Sequence, residues 1–205
     1  MTPLQVDDNA PLVVKKMQSV TEFIEVGPMA AVAGAIADLI LEKLLKNGSK
    51  TSILENGGEI SAISKINISV GIYAGNAQLS GKIGFKLVPN KDFPFGLGTS
   101  SGTFGRGFSF GLADAATVIA ENATIGDAAA TFVGNHVVGT DIEKSIQNGL
   151  EAAESLDRIR GALIIRGKYA GITGKLPQLI KISGNKNNLL NKKYDYKLDT
   201  DYVLL

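Results

Sequence analysis

Asp127 and Thr131 have the residue types and the spacing of a metal-binding pair. The sequence predicts a helix over residues 124–136, and side chains four positions apart project from one face of a helix. A carboxylate and a hydroxyl are hard oxygen ligands, which suit an Mg²⁺ ion that keeps waters and substrate oxygens. A structural interpretation stands beside this one, since Thr124 followed three residues later by Asp127 is close to a helix-capping box. The two interpretations are compatible.

Residues 98–107 form a second candidate segment, rich in glycine and hydroxyl side chains. Successive backbone amides can make a concave set of donors for an anion such as a diphosphate, and an arginine can clamp two phosphate oxygens. The residues that would bind the ligand are Thr99, Ser100, Ser101, Gly102 and Arg106. The Walker pattern of phosphate-binding loops is missing from the sequence, and an ordinary Gly/Ser connector is the alternative.

The third candidate is the turn Asn56-Gly57-Gly58. Asn-Gly between strand-like flanks is typical of a β-hairpin, because both residues tolerate positive φ. A functional interpretation is also open, in which the bare amides of this turn meet a ligand and Asn56 contributes its side-chain amide.

Composition removes several classes of chemistry from this chain of 205 residues. Cysteine is absent, so disulfides, thiol nucleophiles and cysteine-based zinc sites are excluded. His136 is the single histidine, so a three-histidine zinc site cannot form within one chain. The net charge of +1 gives no general field for nucleic acid or for a membrane surface, and neither is a predicted partner.

No targeting segment is visible at the N-terminus, which lacks a basic region followed by an apolar stretch. The longest apolar run, residues 29–41, contains Asp38 and is shorter than the roughly 20 residues that a membrane-spanning helix needs. We therefore predict a soluble cytoplasmic protein, with its oligomeric state left open.

The elements that must position these residues follow from apolar spacing and turn signals. Helices are predicted over residues 12–23, 28–47, 124–136 and 141–156, and strands over 51–55, 59–74, 78–88, 114–121, 162–166 and 179–182. Residues 96–111 are predicted to be a loop or strands with an irregular backbone. Because strand-rich and helical stretches do not alternate regularly, the predicted class is α+β, with a mixed and mostly antiparallel sheet packed with helices. Residues 1–183 are predicted to form a single domain, followed by a polar, weakly ordered tail over 184–205. Small residues at 30–35 would let another backbone or a ligand approach closely.

Five segments, in order and with sensible spacing between residues 10 and 138, resemble one family. They are residues 27–38, 56–59, 98–106, 113–118 and 126–131. In these motifs the chain is similar to an uncharacterised, largely archaeal and bacterial family related to the ApbE flavin transferases. The resemblance implies an ApbE-like domain over residues 1–183. ApbE relatives carry an N-terminal segment before these motifs, so we expect this chain to be an N-terminally shortened member.

ApbE enzymes use Mg²⁺ and FAD to attach FMN, through a phosphoester, to a Thr or Ser hydroxyl of a target protein. The resemblance implies that Asp127 and Thr131 ligate Mg²⁺, and that a backbone carbonyl of the helix motif at residues 33–38 completes the metal site. The residues that it implies lie beside the flavin are Asn56, Gly57 and Gly58. The Thr-Ser-Gly segment of the family is matched by residues 99–102.

Two functions follow from this resemblance. The first is an enzyme that acts with Mg²⁺ on FAD or a related diphosphate nucleotide, as an FMN transferase with a protein acceptor or as a nucleotide phosphoryl-transfer enzyme. The second is a non-catalytic flavin- or nucleotide-binding protein that has lost transferase activity. Ala33 replaces the Lys of the family's helix motif, and residues 109–114 replace its His-x-x-Asp-Pro segment. Because that segment is missing, we predict no transfer of FMN to a generic ApbE acceptor peptide.

Overall fold

The computed structural model describes residues 3–104, 109–183 and 203–204. The helices are α1 (Leu12–Ile24), α2 (Val32–Lys46), α3 (Ala123–His136) and α4 (Ile142–Glu154), with a 3₁₀ turn at Pro28–Ala31. The strands are β1 (Ser52–Asn56), β2 (Glu59–Ile63), β3 (Ile68–Gly71), β4 (Ile83–Leu87), β5 (Phe95–Ser100), β6 (Ala115–Ala120), β7 (Ile159–Arg166), β8 (Tyr169–Gly174), β9 (Gln178–Lys181) and β10 (Val203–Leu204). The predicted α+β class is confirmed.

The described strands form two sheets. The larger sheet has the order β1-β2-β5-β6-β7-β8 and is antiparallel at every pairing. The smaller has the order β10-β3-β4-β9, in which the pairing of β10 with β3 is parallel and the others are antiparallel. The mixed, mostly antiparallel arrangement is therefore confirmed, although the strands divide between two sheets where one was predicted.

The central strands of the larger sheet are buried on both faces. One face packs against the helices through a core that includes Val118, Ile125 and Val133. The other packs against the smaller sheet through a core that includes Phe85 and Ile119. Strand β6 is buried at every position, which explains why its sequence is an unbroken run of small and apolar residues without polar alternation.

Glycines bring α2, α3 and β5 into close contact. A Cβ atom at Gly34 of α2 would lie 2.2 Å from the carbonyl oxygen of Ala123, and one at Gly98 of β5 would lie 2.3 Å from the carbonyl oxygen of Gly126. No side chain fits at these separations, so the backbones pack directly. At Gly34, the small residues of α2 therefore serve the approach of another backbone.

Three expectations about the strands were wrong. Residues 59–74 do not form one strand, because the chain bends at residues 64–67 and continues in the other sheet as β3. Of residues 78–88, the segment Ile83–Leu87 alone is a strand. Strand β8 was not predicted, since it contains two glycines and alternates between half-buried and exposed positions.

Residues 184–202 and 205 of the predicted tail lie outside the described residues, and Val203–Leu204 pair with β3. The division into one domain and a tail therefore stays a prediction. Within the described ranges, no single helix has the length and hydropathy to span a membrane; α1 and Pro28–Lys46, bent by 105° relative to each other, reach that level as a pair by length and composition.

Candidate functional site

Helices α2 and α3 exchange carboxylate hydrogen bonds. The Asp38 carboxylate of α2 accepts from the amides of Ala123, at 3.0 Å, and Thr124, at 2.9 Å. The Asp127 carboxylate of α3 accepts from the amide of Gly34, at 2.9 Å. From Gly34 to Asp38 along α2, the bonded residue of α3 moves back from Asp127 to Ala123. The two helices are therefore antiparallel at this contact. Each helix supplies an acid to the amino-terminal turn of the other.

This exchange replaces the capping that was predicted from sequence. The N-cap residue of α2 is Ala31, which has no side-chain acceptor, and Asp127 supplies one from α3. The N-cap of α3 is Asn122, whose Oδ1 accepts from the amide of Ile125 at 3.0 Å. Thr124 therefore lies inside α3, and the predicted capping box of Thr124 with Asp127 is wrong. Asp127 caps a helix, but the helix is α2.

The predicted hairpin at Asn56 is confirmed, and it is tied to the same turn of α2. Gly57 and Gly58 connect β1 to β2 with φ angles of 75° and 118°, which glycine adopts without strain. The side-chain nitrogen of Asn56 donates to the carbonyl oxygen of Ala33 at 3.1 Å. The hairpin thus positions the amide group of Asn56 beside the amino-terminal turn of α2.

Glu59 is a buried acid that the sequence reasoning did not select. It follows the glycine turn directly, at the start of β2, and is 7% exposed. Ser61, two residues further along the strand, donates to Asp38 of α2 at 2.5 Å. Because side chains alternate across a strand, Glu59 points to the same helix-covered face as Ser61. An acid directly after Gly-Gly and before an apolar strand was the available signal.

The electrostatics of Glu59 and Asp127 are linked. Burial, reinforced by the negative charge of Asp127, raises the pKa of Glu59 to about 8. Burial, with a smaller contribution from Asp38, also raises the pKa of Asp127 to about 7, although the amides of Gly34 and Ala33 act in the opposite direction. Raised pKa values are expected for two neighbouring buried acids that lack a compensating cation, because both burial and mutual repulsion disfavour the charged forms.

No basic side chain compensates this pair in the described part of the chain. The ion pair found there, Lys16 with Glu42, lies elsewhere at the surface. The same residues contain no group of three or more His, Cys, Asp or Glu side chains placed to hold a metal ion. A cation bound at Asp127 would therefore need a hydroxyl, backbone carbonyls, waters or ligand oxygens to complete its coordination.

Thr131 lies on the stripe of α3 that faces β5. It is half-buried and sits between Asp127 and Gly134, at spacings of four and three residues that keep all three on one helix face. A Cβ atom at Gly134 would lie 3.3 Å from the hydroxyl oxygen of Ser100. This places Thr131 on the side of α3 along which the end of β5 runs.

The remaining residues of the glycine-rich segment use many of their polar groups internally. The hydroxyl of Thr99 is 3.1 Å from that of Thr117 across the β5–β6 pair. The hydroxyl oxygen of Ser101 accepts from the amides of residues 103 and 104, and the amide of Gly102 donates to the carbonyl of Ala113 at 2.9 Å. Arg106 lies outside the described residues.

Asp114 fastens this loop to the rest of the sheet. One oxygen of its carboxylate accepts from the Thr103 hydroxyl and the other from the amide of Gly167, both at 2.6 Å. The loop therefore starts and ends against strands of the larger sheet. Hydrogen bonds connect Asn56 and Asp127 to one turn of α2, whereas Ser101 and Gly102 bond within their own loop and to Ala113.

Comparisons with known proteins agree on a family. The family described as AbpE bacteria matches residues 1–166. A UPF0280 protein of Methanococcus maripaludis is 48% identical over 181 residues, which cover 88% of this chain and 73% of the relative. A UPF0280 protein of Methanococcus vannielii is 46% identical, with the same 88% and 73% coverage.

Among solved structures, the apo form of the flavinyl transferase ApbE from Pseudomonas stutzeri aligns with 19% identity and a TM-score of 0.47. The alignment covers 73% of this chain and 50% of that one, so the chain spans about half the length of that transferase. By the extent of the sequence matches, the chain belongs to the ApbE-related family of UPF0280 proteins.

Proposed function

We propose that this protein binds Mg²⁺ together with FAD or a related diphosphate nucleotide, where α2, α3 and the β1–β2 turn meet. The observation that carries this proposal is the pair of buried acids, Asp127 and Glu59, which have no basic partner among the described residues. Burying uncompensated charge is costly, and a divalent cation removes that cost. Membership of the ApbE-related family supports the choice of ligand.

The donors present fit Mg²⁺. Asp127 and Thr131 would hold the ion together with a backbone carbonyl oxygen of the helix motif at residues 33–38, as the family resemblance implies. Asn56 donates to the carbonyl oxygen of Ala33 and so restrains the backbone at the start of that motif. Few protein ligands suit Mg²⁺, which is usually bound by one or two carboxylates and keeps waters and phosphate oxygens. When bound, the ion would neutralise negative charge on a diphosphate.

The nucleotide would extend from this cation along two segments. Asn56, Gly57 and Gly58 would lie beside the flavin ring, where Gly57 is exposed and the two glycines let a ligand approach the backbone closely, although the amide of Gly58 already donates to Glu55. The residues that would approach the phosphates are Thr99, Ser100, Ser101, Gly102 and Arg106. The amide of Gly102 already donates to the carbonyl of Ala113, so it would not donate to a phosphate. Gly102 would instead let the phosphate approach the backbone closely, because it has no side chain.

Binding can lead to either of two activities. As an enzyme, the protein would break the diphosphate bond of FAD, transferring FMN to a hydroxyl of a protein acceptor or to water and releasing AMP. As a non-catalytic binding protein, it would hold intact flavin. The absence of the His-x-x-Asp-Pro segment at residues 109–114 favours the second activity over transfer to the usual ApbE acceptor.

The test is calorimetric titration of FAD with and without Mg²⁺ on the wild type and on Asp127→Asn. Asparagine keeps one acceptor oxygen for the amide of Gly34, so the capping role costs no more than about 1 kcal/mol of stability. It removes the charge that Mg²⁺ requires, so Mg²⁺-dependent binding should disappear. Equal FAD affinity for both proteins, with and without Mg²⁺, would refute the proposal.

Asp141→Asn is the matched control, because Asp141 is an exposed N-cap of α4 that asparagine replaces well. It should bind FAD as the wild type does, and an equal loss in this variant would assign the effect to stability instead of the site. Mass spectrometry of the incubated mixture then separates the two activities. Released AMP indicates an enzyme, and intact bound FAD indicates a binding protein.

A further inference from the structure

We propose that Glu59 is a second carboxylate of the cation site, and that Glu59 and Asp127 together bind the divalent ion before any nucleotide is present. This inference rests on the proposed function, and it extends the set of ligands beyond the residues that match the family's metal motif. It also sets an order of binding, in which the metal-loaded protein is the form that receives the nucleotide.

The strand geometry carries the placement of Glu59. Ser61 and Glu59 point to the same face of β2, and Ser61 is fixed against Asp38 of α2. One turn back along α2, about 6 Å, is Gly34, which donates to Asp127. Two residues back along β2, about 6.6 Å, is Glu59. The side chain of Glu59 therefore lies on the face of β2 that α2 and Asp127 cover, and its Oε2 lies beside the turn, 3.3 Å from where a Cβ atom of Gly57 would stand.

The neighbouring strand closes this space from a second direction. In the β2–β5 pair, Ile60 lies opposite Leu97, so the antiparallel register brings Glu59 level with Gly98. A Cβ atom at Gly98 would lie 2.4 Å from the backbone nitrogen of Asp127. Asp127 and Glu59 are thus both adjacent to the same glycine, which has no side chain to separate them.

Charge balance is the reason for expecting the ion to bind before the nucleotide. One carboxylate leaves a divalent ion with a net positive charge, and binding then depends on phosphate oxygens. Two carboxylates neutralise the ion, which favours binding to the protein alone. The glutamate is 93% buried by its 7% exposure, and it contacts no basic group among the described residues.

The test measures cation binding in the absence of nucleotide. Protein freed of metal with EDTA is titrated calorimetrically with Mn²⁺, a probe that accepts the same oxygen ligands as Mg²⁺. The wild type should bind one ion, and Glu59→Gln should weaken the dissociation constant at least tenfold. Glu143→Gln is the matched control, because it makes the same chemical change at an exposed position in the first turn of α4. It should bind Mn²⁺ within about twofold of the wild type.

A second readout separates ligation from a purely structural role. At a pH above about 8, where Glu59 is ionised in the metal-free protein, removing its charge relieves repulsion, so Glu59→Gln should raise the melting temperature of the metal-free protein while it weakens Mn²⁺ binding. Unchanged Mn²⁺ affinity in this variant, or a wild type that binds no Mn²⁺ without nucleotide, would overturn the inference. FAD titration in saturating Mg²⁺ is run in parallel. If that binding persists in the wild type and fails in Asp127→Asn, the proposed function survives the loss of this inference.

Discussion

Replacing Asp38 should reveal how strongly the α2–α3 contact depends on one buried carboxylate. Asp38 is 3% exposed and accepts four hydrogen bonds, from the amides of Ala123 and Thr124 and from the hydroxyls of Ser61 and Thr124. Asp38→Asn keeps one oxygen for Ser61 and Ala123. It places an NH₂ group against the two donors of Thr124, so at least one buried donor loses its acceptor.

The size of the effect follows from those contacts. A hydrogen bond to a charged group contributes about 1.5–3 kcal/mol, and an unsatisfied buried donor costs about 1–3 kcal/mol. Since the bonds share one carboxylate and are not additive, we expect Asp38→Asn to lose about 2–4 kcal/mol. Asp38→Ala leaves all four donors without that acceptor and is expected to lose more, a large part of the roughly 5–15 kcal/mol that stabilises a typical domain.

The assay is urea denaturation followed by circular dichroism, with two comparisons. Ser61→Ala removes one of the four donors and leaves the carboxylate bonded at α3, so it should cost only about 1–2 kcal/mol. Asp157→Asn makes the same chemical change at an exposed position and should stay within about 0.5 kcal/mol of the wild type. A loss below about 0.5 kcal/mol for Asp38→Asn would refute the view that this carboxylate holds the two helices together.

Three further predictions concern pH, packing and transfer. The raised pKa values of Asp127, about 7 against 3.8, and Glu59, about 8 against 4.5, mean that the folded protein binds more protons than the unfolded chain. The stability that they contribute is complete below about pH 4 and is lost as the pH rises through about 7 to 8. The melting temperature in EDTA should therefore fall between about pH 4 and pH 8, and a flat profile would contradict this prediction. Gly34→Ala should lose about 2 kcal/mol or more in urea denaturation, because its Cβ would lie 2.2 Å from the carbonyl oxygen of Ala123, and a variant of wild-type stability would mean that the helices separate easily. Incubation with FAD, Mg²⁺ and a generic ApbE acceptor peptide should yield no covalent FMN by mass spectrometry, given the sequence at residues 109–114, and a mass increment that needs both protein and Mg²⁺ would show this wrong.

Elements with local signals were predictable from the sequence. The first long helix region was bounded by Pro28 and Asn47, and the helical segment of the structure ends at Lys46. The Asn-Gly hairpin was also predictable, because positive φ restricts the choice of residue. The division of residues 59–74 between two sheets was not, since each half is apolar enough for a strand and the choice of sheet depends on distant partners.

The site was less predictable than the elements, for a related reason. Asp127 and Asn56 could be selected from their types and neighbours. The roles of Asp38 and Glu59 depend on residues far along the chain: Asp38 and Ala123 are separated by 85 positions. A single acid in an apolar segment does not show whether its partner will be an amide, a base or an ion.

The exchange between α2 and α3 changes how the two compatible interpretations of Asp127 are related. The sequence places the capping partner of Asp127 in its own helix, whereas the partner in the structure is α2. In the structure Oδ2 accepts from the amide of Gly34, and the amide of Ala33 also favours the ionised carboxylate. A carboxylate fixed by one oxygen at a helix terminus presents the other in a defined direction, which lowers the entropy that a ligand must lose on binding a cation. Capping of α2 would therefore orient Asp127 for the proposed ligation, and a variant that keeps the hydrogen bond but removes the charge separates the two roles experimentally.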